Sequence, residues 1–266
     1  MRFVDDAGSK RKVKTMKKLM FAVAALSAGI AMADVTSANI VGYTKPAVKS
    51  NVAMCVDPFA PISGEAFDLQ TIKVEGEGLA AGQVQLQTMT TGGETDQTFY
   101  WIPAEEAGDY DMEAEGWFNP DEWAQAEKTV AVGEGLVTMN DFGEGATITF
   151  DGEVTQGATE VPVAPLVSTS GNCTPVAIDI QSIVVTGEGL AAGQIQMQTL
   201  TSGGATDKTF YWIPEEEAGD YDMEGEGWFN PDEWAQAEYN IAAGEGFVLM
   251  NDFGEGATIK FPSPLE

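Results

Sequence analysis

Hydrophobic and polar residues alternate along much of this chain, with the two-residue period of strands. In "QVQLQT", Val84 and Leu86 alternate with Gln83, Gln85 and Gln87, as in a strand with one face buried. "TGGETD" then reads as a turn, and "TFYWI" as a β-rich run that ends at Pro103. Further on, Ala146, Ile148 and Phe150 alternate with Thr147 and Thr149, and the preceding "NDFGEG" is expected to join that strand to "GLVTM" as a hairpin. No window of useful length sustains a helical period. One helical turn is expected at "NPDEW", with Asn119 as cap, Pro120 first inside and Glu122 closing a capping box. Many short strands between glycine-rich turns predict an all-β protein with a β-sandwich architecture.

The pattern occurs twice. Gly76 to Glu127 and Gly187 to Glu238 align without gaps at an offset of 111 residues, and eight of the 52 aligned positions differ. Downstream, Gly133, Met139, Phe142 and Phe150 meet Gly244, Met250, Phe253 and Phe261. Upstream the match weakens, although "AFDLQTI" still meets "AIDIQSI". Two tandem units of about 110 residues are therefore expected, each the length of a small domain. The expected division is residues 34–151 and 152–266, with the boundary between Gly152 and Pro162. Sliding by 110 residues lays Gly42 over Gly152, so a strand leaving the first unit is expected to open the second.

The first 33 residues belong to a different class. "MKKLMFAVAALSAGIAMA", starting at Met16, has a lysine pair, an apolar run and small residues at Ala31 and Ala33. That is the layout of a secretory signal peptide, too short in its apolar part to span a membrane comfortably. Residues 1–15 read as an overhang from an upstream start. Removing residues 1–33 leaves six lysines against 40 carboxylates, a formal charge of −34. An exported protein is expected, in the periplasm, at the cell surface or outside the cell. Its field disfavours nucleic acid and anionic membranes and attracts cations, and no membrane insertion is expected after cleavage. With 44% apolar residues and six tryptophans the chain has material for a core despite its charge. Histidine is absent, which removes Ser-His-Asp and Cys-His catalysis and the usual His-bearing zinc sites. No catalytic residues are expected, and no enzyme.

Four short stretches carry a family resemblance: Ala38 to Tyr43 ("ANIVGY"), Gly116-Trp117, Gly227-Trp228, and Gly244 to Phe247 ("GEGF") followed by an alternating strand. Together they resemble a family of exported bacterial proteins that carry one or more such units and have no assigned function. The first unit departs from the pattern by having Leu136 in place of the phenylalanine. The resemblance implies export and a β architecture, and no activity.

Glu105 to Glu127 holds nine acids and no base, and Glu215 to Glu238 holds ten and no base. Three readings suit these segments. The plainest is a solvated loop whose rings anchor it to the sandwich while its acids face water. The second is a calcium site. Asp109, Asp111 and Glu113, and in the second copy Asp220, Asp222 and Glu224, place oxygens at alternate positions, as an EF-hand loop does. Pro231 stands where a bidentate Glu is needed, and Ala114 where the first copy needs Gly, so a looser carboxylate site that draws on Asp232 or Glu233 is favoured over a true EF-hand. The third is recognition of an extracellular glycan, with Trp117, Trp123, Trp228 and Trp234 as stacking platforms beside carboxylates. A glycosidase would need two carboxylates held about 5–9 Å apart across a bond, and a surplus of acids does not single out a pair. The expected function is a non-enzymatic cell-surface structural or adhesion component, with a carbohydrate-binding module as the alternative. Calcium is the expected ion, and glycan or like subunits the expected partners.

The two cysteines could pair in an oxidising compartment. The repeat offset puts Cys55 opposite Leu166 and Cys173 opposite Ile62, which favours two buried free thiols acting as small hydrophobes.

Overall fold

Strands form wherever the alternation is strong, and the protein is all-β. The computed structural model describes residues 41–44, 51–62, 66–143, 145–254 and 256–264. The predicted signal peptide, the Ala38–Ile40 part of "ANIVGY", and Lys45 to Ser50 lie outside the described residues. Helical backbone among the described residues is confined to 3-10 turns of three or four residues.

The first half contributes β1 (Val41–Thr44), β2 (Asn51–Cys55), β3 (Ala66–Asp68), β4 (Lys73–Glu75), β5 (Val84–Met89) and β6 (Thr95–Ile102). It continues with β7 (Gly116–Asn119), β8 (Ala124–Gln125), β9 (Thr129–Ala131), β10 (Leu136–Asn140) and β11 (Thr147–Glu153). The second half runs through β12 (Thr159–Val163), β13 (Leu166–Gly171), β14 (Ile178–Asp179), β15 (Val184–Thr186), β16 (Ile195–Leu200) and β17 (Thr206–Ile213). It ends with β18 (Gly227–Asn230), β19 (Ala235–Gln236), β20 (Asn240–Ile241), β21 (Gly246–Asn251) and β22 (Ala257–Phe261).

One sheet has the order β2-β10-β5-β6-β7-β8 and another β1-β11-β4, while β3 pairs with β9. The same orders recur eleven strands later, as β13-β21-β16-β17-β18-β19, β12-β22-β15 and β14-β20. All the pairings between strands are antiparallel. In each half the core lies between the large and the small sheet. Leu86, Phe99, Trp101, Trp117 and Leu136 from the six-stranded sheet meet Val74, Ile148 and Phe150 from the three-stranded one. In the second half Met197, Phe210, Trp212, Trp228 and Phe247 meet Val185, Ile259 and Phe261.

Two expectations about connections are corrected. "NDFGEG" does not close a hairpin: β10 pairs with β2 and β5, whereas β11 pairs with β1 and β4. That loop carries the chain from one sheet to the other, as a sandwich requires of strands whose buried faces oppose each other. Gly42 and Gly152 are not equivalent residues but cross-strand partners in the β1–β11 ladder. The counterpart of β1 is β12, since Thr44 lies opposite Phe150 and Thr159 opposite Phe261. β11 therefore ends in the first half, and β12 is a new strand.

The residues from Ile40 to Glu266 form one compact unit. Backbone bonds cross between the halves: Val52 N donates to Ser202 O at 3.0 Å, Val167 N to Thr91 O at 3.0 Å, Val56 N to Gly244 O at 3.0 Å and Gly135 N to Thr169 O at 3.1 Å. Two glycines permit the approach, because a Cβ on Gly135 would lie 2.7 Å from Ser170 N and one on Gly246 would lie 2.8 Å from Cys55 N. Val56, a first-half residue, is buried in the second half's core.

Candidate functional site

Consecutive residues on a strand point to opposite faces, and on β7 this separates two neighbouring rings. Trp117 faces the sandwich core, fully buried, with its ring edge-on to Trp101 at 5.3 Å and its Nε1 donating to Ile72 O at 2.8 Å. Phe118 faces outward into a small second cluster with Ile102, Ala107 and Met112. That cluster lies beneath the acidic connection between β6 and β7. The second copy repeats both halves of this arrangement: Trp228 Nε1 donates to Ile183 O at 2.9 Å, and Phe229 meets Ile213, Ala218 and Met223. Trp117 and Trp228 are thus core residues, with no ring face for a ligand. This corrects their expected place among the platforms.

The remaining pair is exposed. β7 turns into β8 through residues 120–123, with Asn119 paired to Ala124. The expected helical turn is instead the tip of a hairpin. Asn119 does act as a cap, its Oδ1 accepting from Asp121 N at 3.0 Å. The chain then re-enters the ladder through a left-handed residue, as hairpin loops built on a type I turn commonly do. That residue is Trp123, with φ 51°, and its counterpart Trp234 has φ 50°. Glycine or asparagine would be the usual occupant, and a bulkier residue costs about 1–2 kcal/mol there.

The two tryptophans are 63% and 64% exposed. Each is supported from below. Trp123 stacks on Tyr110 at 6.0 Å and 29° and sits edge-on to Phe118 at 5.3 Å and 88°. Trp234 does the same with Tyr221 at 6.1 Å and 30° and with Phe229 at 5.2 Å and 88°. One glutamine that the sequence did not single out holds the base of each hairpin. Gln70 Nε2 donates to Trp117 O at 2.8 Å and Ala126 O at 2.9 Å, and its Oε1 accepts from Trp117 N at 2.9 Å. Gln181 makes the same three bonds to Trp228 and Ala237 at 2.7, 2.7 and 3.0 Å. A Cβ on Gly116 would run into Gln70 Oε1, so any larger residue there must displace the glutamine from its three bonds. The only signal in the sequence was that Gln70 and Gln181 match across the copies.

Asp109 lies in a 3-10 turn (Ala107–Tyr110), Asp111 follows it in left-handed backbone with φ 56°, and Glu113 is exposed beyond. Asp220, Asp222 and Glu224 occupy the same places in the second copy. Among the described residues no group of three or more carboxylates or thiols converges as a set of metal ligands. The described lysines are engaged elsewhere. Lys128 pairs with Glu134 at 3.7 Å and Lys260 with Glu160 at 3.7 Å, while Lys73 lies over the Trp101 ring at 5.7 Å and Lys208 over the Tyr239 ring at 5.3 Å. Among the described residues no lysine neutralises the acids around either exposed tryptophan.

A second feature sits at the junction of the halves. Asp57 is 3% exposed, with Oδ1 accepting from Phe59 N at 3.0 Å and Oδ2 buried without a hydrogen-bond partner among the described residues. Burial pushes its carboxyl up from 3.8 to about 7; the Phe59 N–H opposes that shift, and the nearby Asp151 charge adds to it. Its counterpart is Asn172, whose Nδ2 donates to Val176 O at 2.7 Å, Ile241 O at 3.1 Å and Ala242 O at 3.1 Å.

The cysteines flank this site, both buried and free. Their register differs from the expected one. Cys55 lies opposite Leu136 and Ser170 opposite Phe247, so Ser170 rather than Leu166 is the counterpart of Cys55. Continuing residue by residue sets Cys173 against Pro58, not Ile62, because the copies differ in length between this point and β3. Burial pushes the Cys173 thiol up to about 12 and the Cys55 thiol well above its ordinary value, with Asp57 adding to both shifts. Neither is placed to act as a thiolate nucleophile.

Two further facts bear on function. Among the described residues no helix is long and apolar enough to cross a membrane. Comparison with known proteins returned no matching family model, no matching curated protein and no matching solved structure.

Proposed function

We propose that the protein is an exported, non-enzymatic adhesion component that binds extracellular glycan through Trp123 and Trp234. One observation carries this reading. Both rings are largely exposed, both occupy left-handed backbone that disfavours tryptophan, and each is braced from beneath by an equivalent tyrosine and phenylalanine. Strained, solvent-facing aromatic groups held rigidly are the kind of feature that binding selects and packing does not. A rigid indole offers a flat apolar face to the C–H side of a sugar ring, and the adjacent carboxylates can accept from its hydroxyls. Two such platforms on one chain give two equivalent sites. Export rests on the Met16–Ala33 segment, and absence of catalysis on the lack of histidine and of an activated nucleophile.

Tryptophan fluorescence and a glycan array test this together. Binding that shifts the emission and is lost in Trp123→Asn/Trp234→Asn is the expected result. Asparagine suits because it tolerates φ near 50°. Binding unchanged in that double variant, or turnover of a polysaccharide by the wild type, would overturn the proposal.

A further inference from the structure

The exposed rings say where a ligand would sit, and the surrounding charge says what kind of ligand it is. Trp123 follows directly on Asp121 and Glu122, and the tyrosine it stacks on lies between Asp109 and Asp111. Trp234 has Asp232 and Glu233 before it, and its Tyr221 lies between Asp220 and Asp222. All these carboxylates face solvent, and no described lysine reaches them. The face of an indole ring is itself negative and attracts cations. This protein already uses that attraction internally, at Lys73 over Trp101 and Lys208 over Tyr239.

Resting on the glycan reading above, we infer that the two tryptophan platforms select positively charged sugars, that is, polymers of unsubstituted amino sugars, over neutral and acidic ones. A protonated amine on the sugar lies where the ring face and the flanking carboxylates attract it together. An N-acetylated sugar keeps the C–H stacking and loses the charge. A uronate keeps the stacking and meets repulsion from every neighbouring acid. The halves repeat the arrangement, so each ring offers the same charge environment to a polymer with an amine on each residue.

The experiment is titration of the mature protein with matched oligomers of glucosamine, N-acetylglucosamine and galacturonate, at a pH where the amines are protonated, in low and in high salt. The glucosamine oligomer is expected to bind about two- to fivefold more tightly per platform than its N-acetylated match, the gain of one exposed cation–π contact. The galacturonate oligomer is expected not to bind. The preference is expected to shrink at about 1 M salt, where charges are screened beyond about 3 Å. The variant Asp121→Asn/Glu122→Gln/Asp232→Asn/Glu233→Gln is expected to narrow the glucosamine preference, taken as the ratio of its own two affinities, and an undiminished ratio would overturn the part given to these carboxylates. Equal or tighter binding of the N-acetylated oligomer by the wild type would overturn charge selection and leave the glycan reading standing. Glucosamine binding that persists in Trp123→Asn/Trp234→Asn would also overturn it, as non-specific attraction of a polycation to a polyanion. If none of the oligomers bind, both readings fall.

Discussion

Replacing Asp57 with asparagine should stabilise the protein at alkaline pH and remove a pH dependence from its stability. In the folded protein the carboxyl is held at about 7 rather than 3.8, chiefly by burial. The folded state therefore holds a proton that the unfolded state releases, at any pH between those values. Stability from this group is fully present below about pH 4 and is lost as pH rises through about 7. A shift of that size corresponds to about 4 kcal/mol at the limit, of which about 2–3 kcal/mol falls between pH 5 and pH 8. A side-chain amide in its place would carry no charge and would offer a donor where Oδ2 now has no partner among the described residues. Asn172 shows what such a donor reaches: the carbonyls of Ile241 and Ala242, whose first-half equivalents are Val130 and Ala131. Urea unfolding of wild type and Asp57→Asn at pH 5 and pH 8 measures the effect. Repulsion among the other carboxylates also grows with pH, so the quantity of interest is the difference between the two proteins. The variant should be the more stable by about 2–4 kcal/mol at pH 8, with the gap closing at pH 5. Parallel pH dependences in the two proteins, or a variant that is weaker at pH 8, would refute the assignment.

Trp117→Ala should cost about 3–5 kcal/mol because it opens a cavity in the core and removes the bond to Ile72 O, whereas Trp123→Asn should cost less than about 1.5 kcal/mol, losing ring contacts but relieving a left-handed tryptophan; denaturant melts compare them directly. Cleavage near residue 155 should leave the two halves associated, because backbone bonds and the buried Val56 join them; fragments that separate on a sizing column without denaturant would contradict this. Calcium bound at Asp109, Asp111 and Glu113 and at Asp220, Asp222 and Glu224 should raise the melting temperature beyond sodium chloride of equal ionic strength. For a site of ~0.1 mM affinity at millimolar calcium the gain is about 1.4 kcal/mol, and coincident melting curves would dismiss the sites.

The period-two alternation was sufficient to place strands. Val84 and Leu86, or Ala146, Ile148 and Phe150, are buried as their spacing predicts, because a half-buried strand imposes that period locally. Strand partners were a different matter. "NDFGEG" has the composition of a hairpin loop, yet the strands it joins pair with others, because pairing depends on which buried faces must meet and not on the loop. Ring exposure followed the same division. Trp117 and Trp123 lie in one short run of matching character, and sequence treated both as platforms. Facing direction on β7 put the first in the core, and a left-handed turn residue lifted the second into solvent. Asp57 looked like one acid among the 40 that follow residue 33. Its burial comes from the second half of the protein closing over a loop of the first, a contact between residues nearly 190 positions apart at Val56 and Gly244. Local chemistry along the chain decided the elements and the charge. Long-range packing decided which of those residues water can reach, because burial is a property of the assembled sheets and not of any one strand.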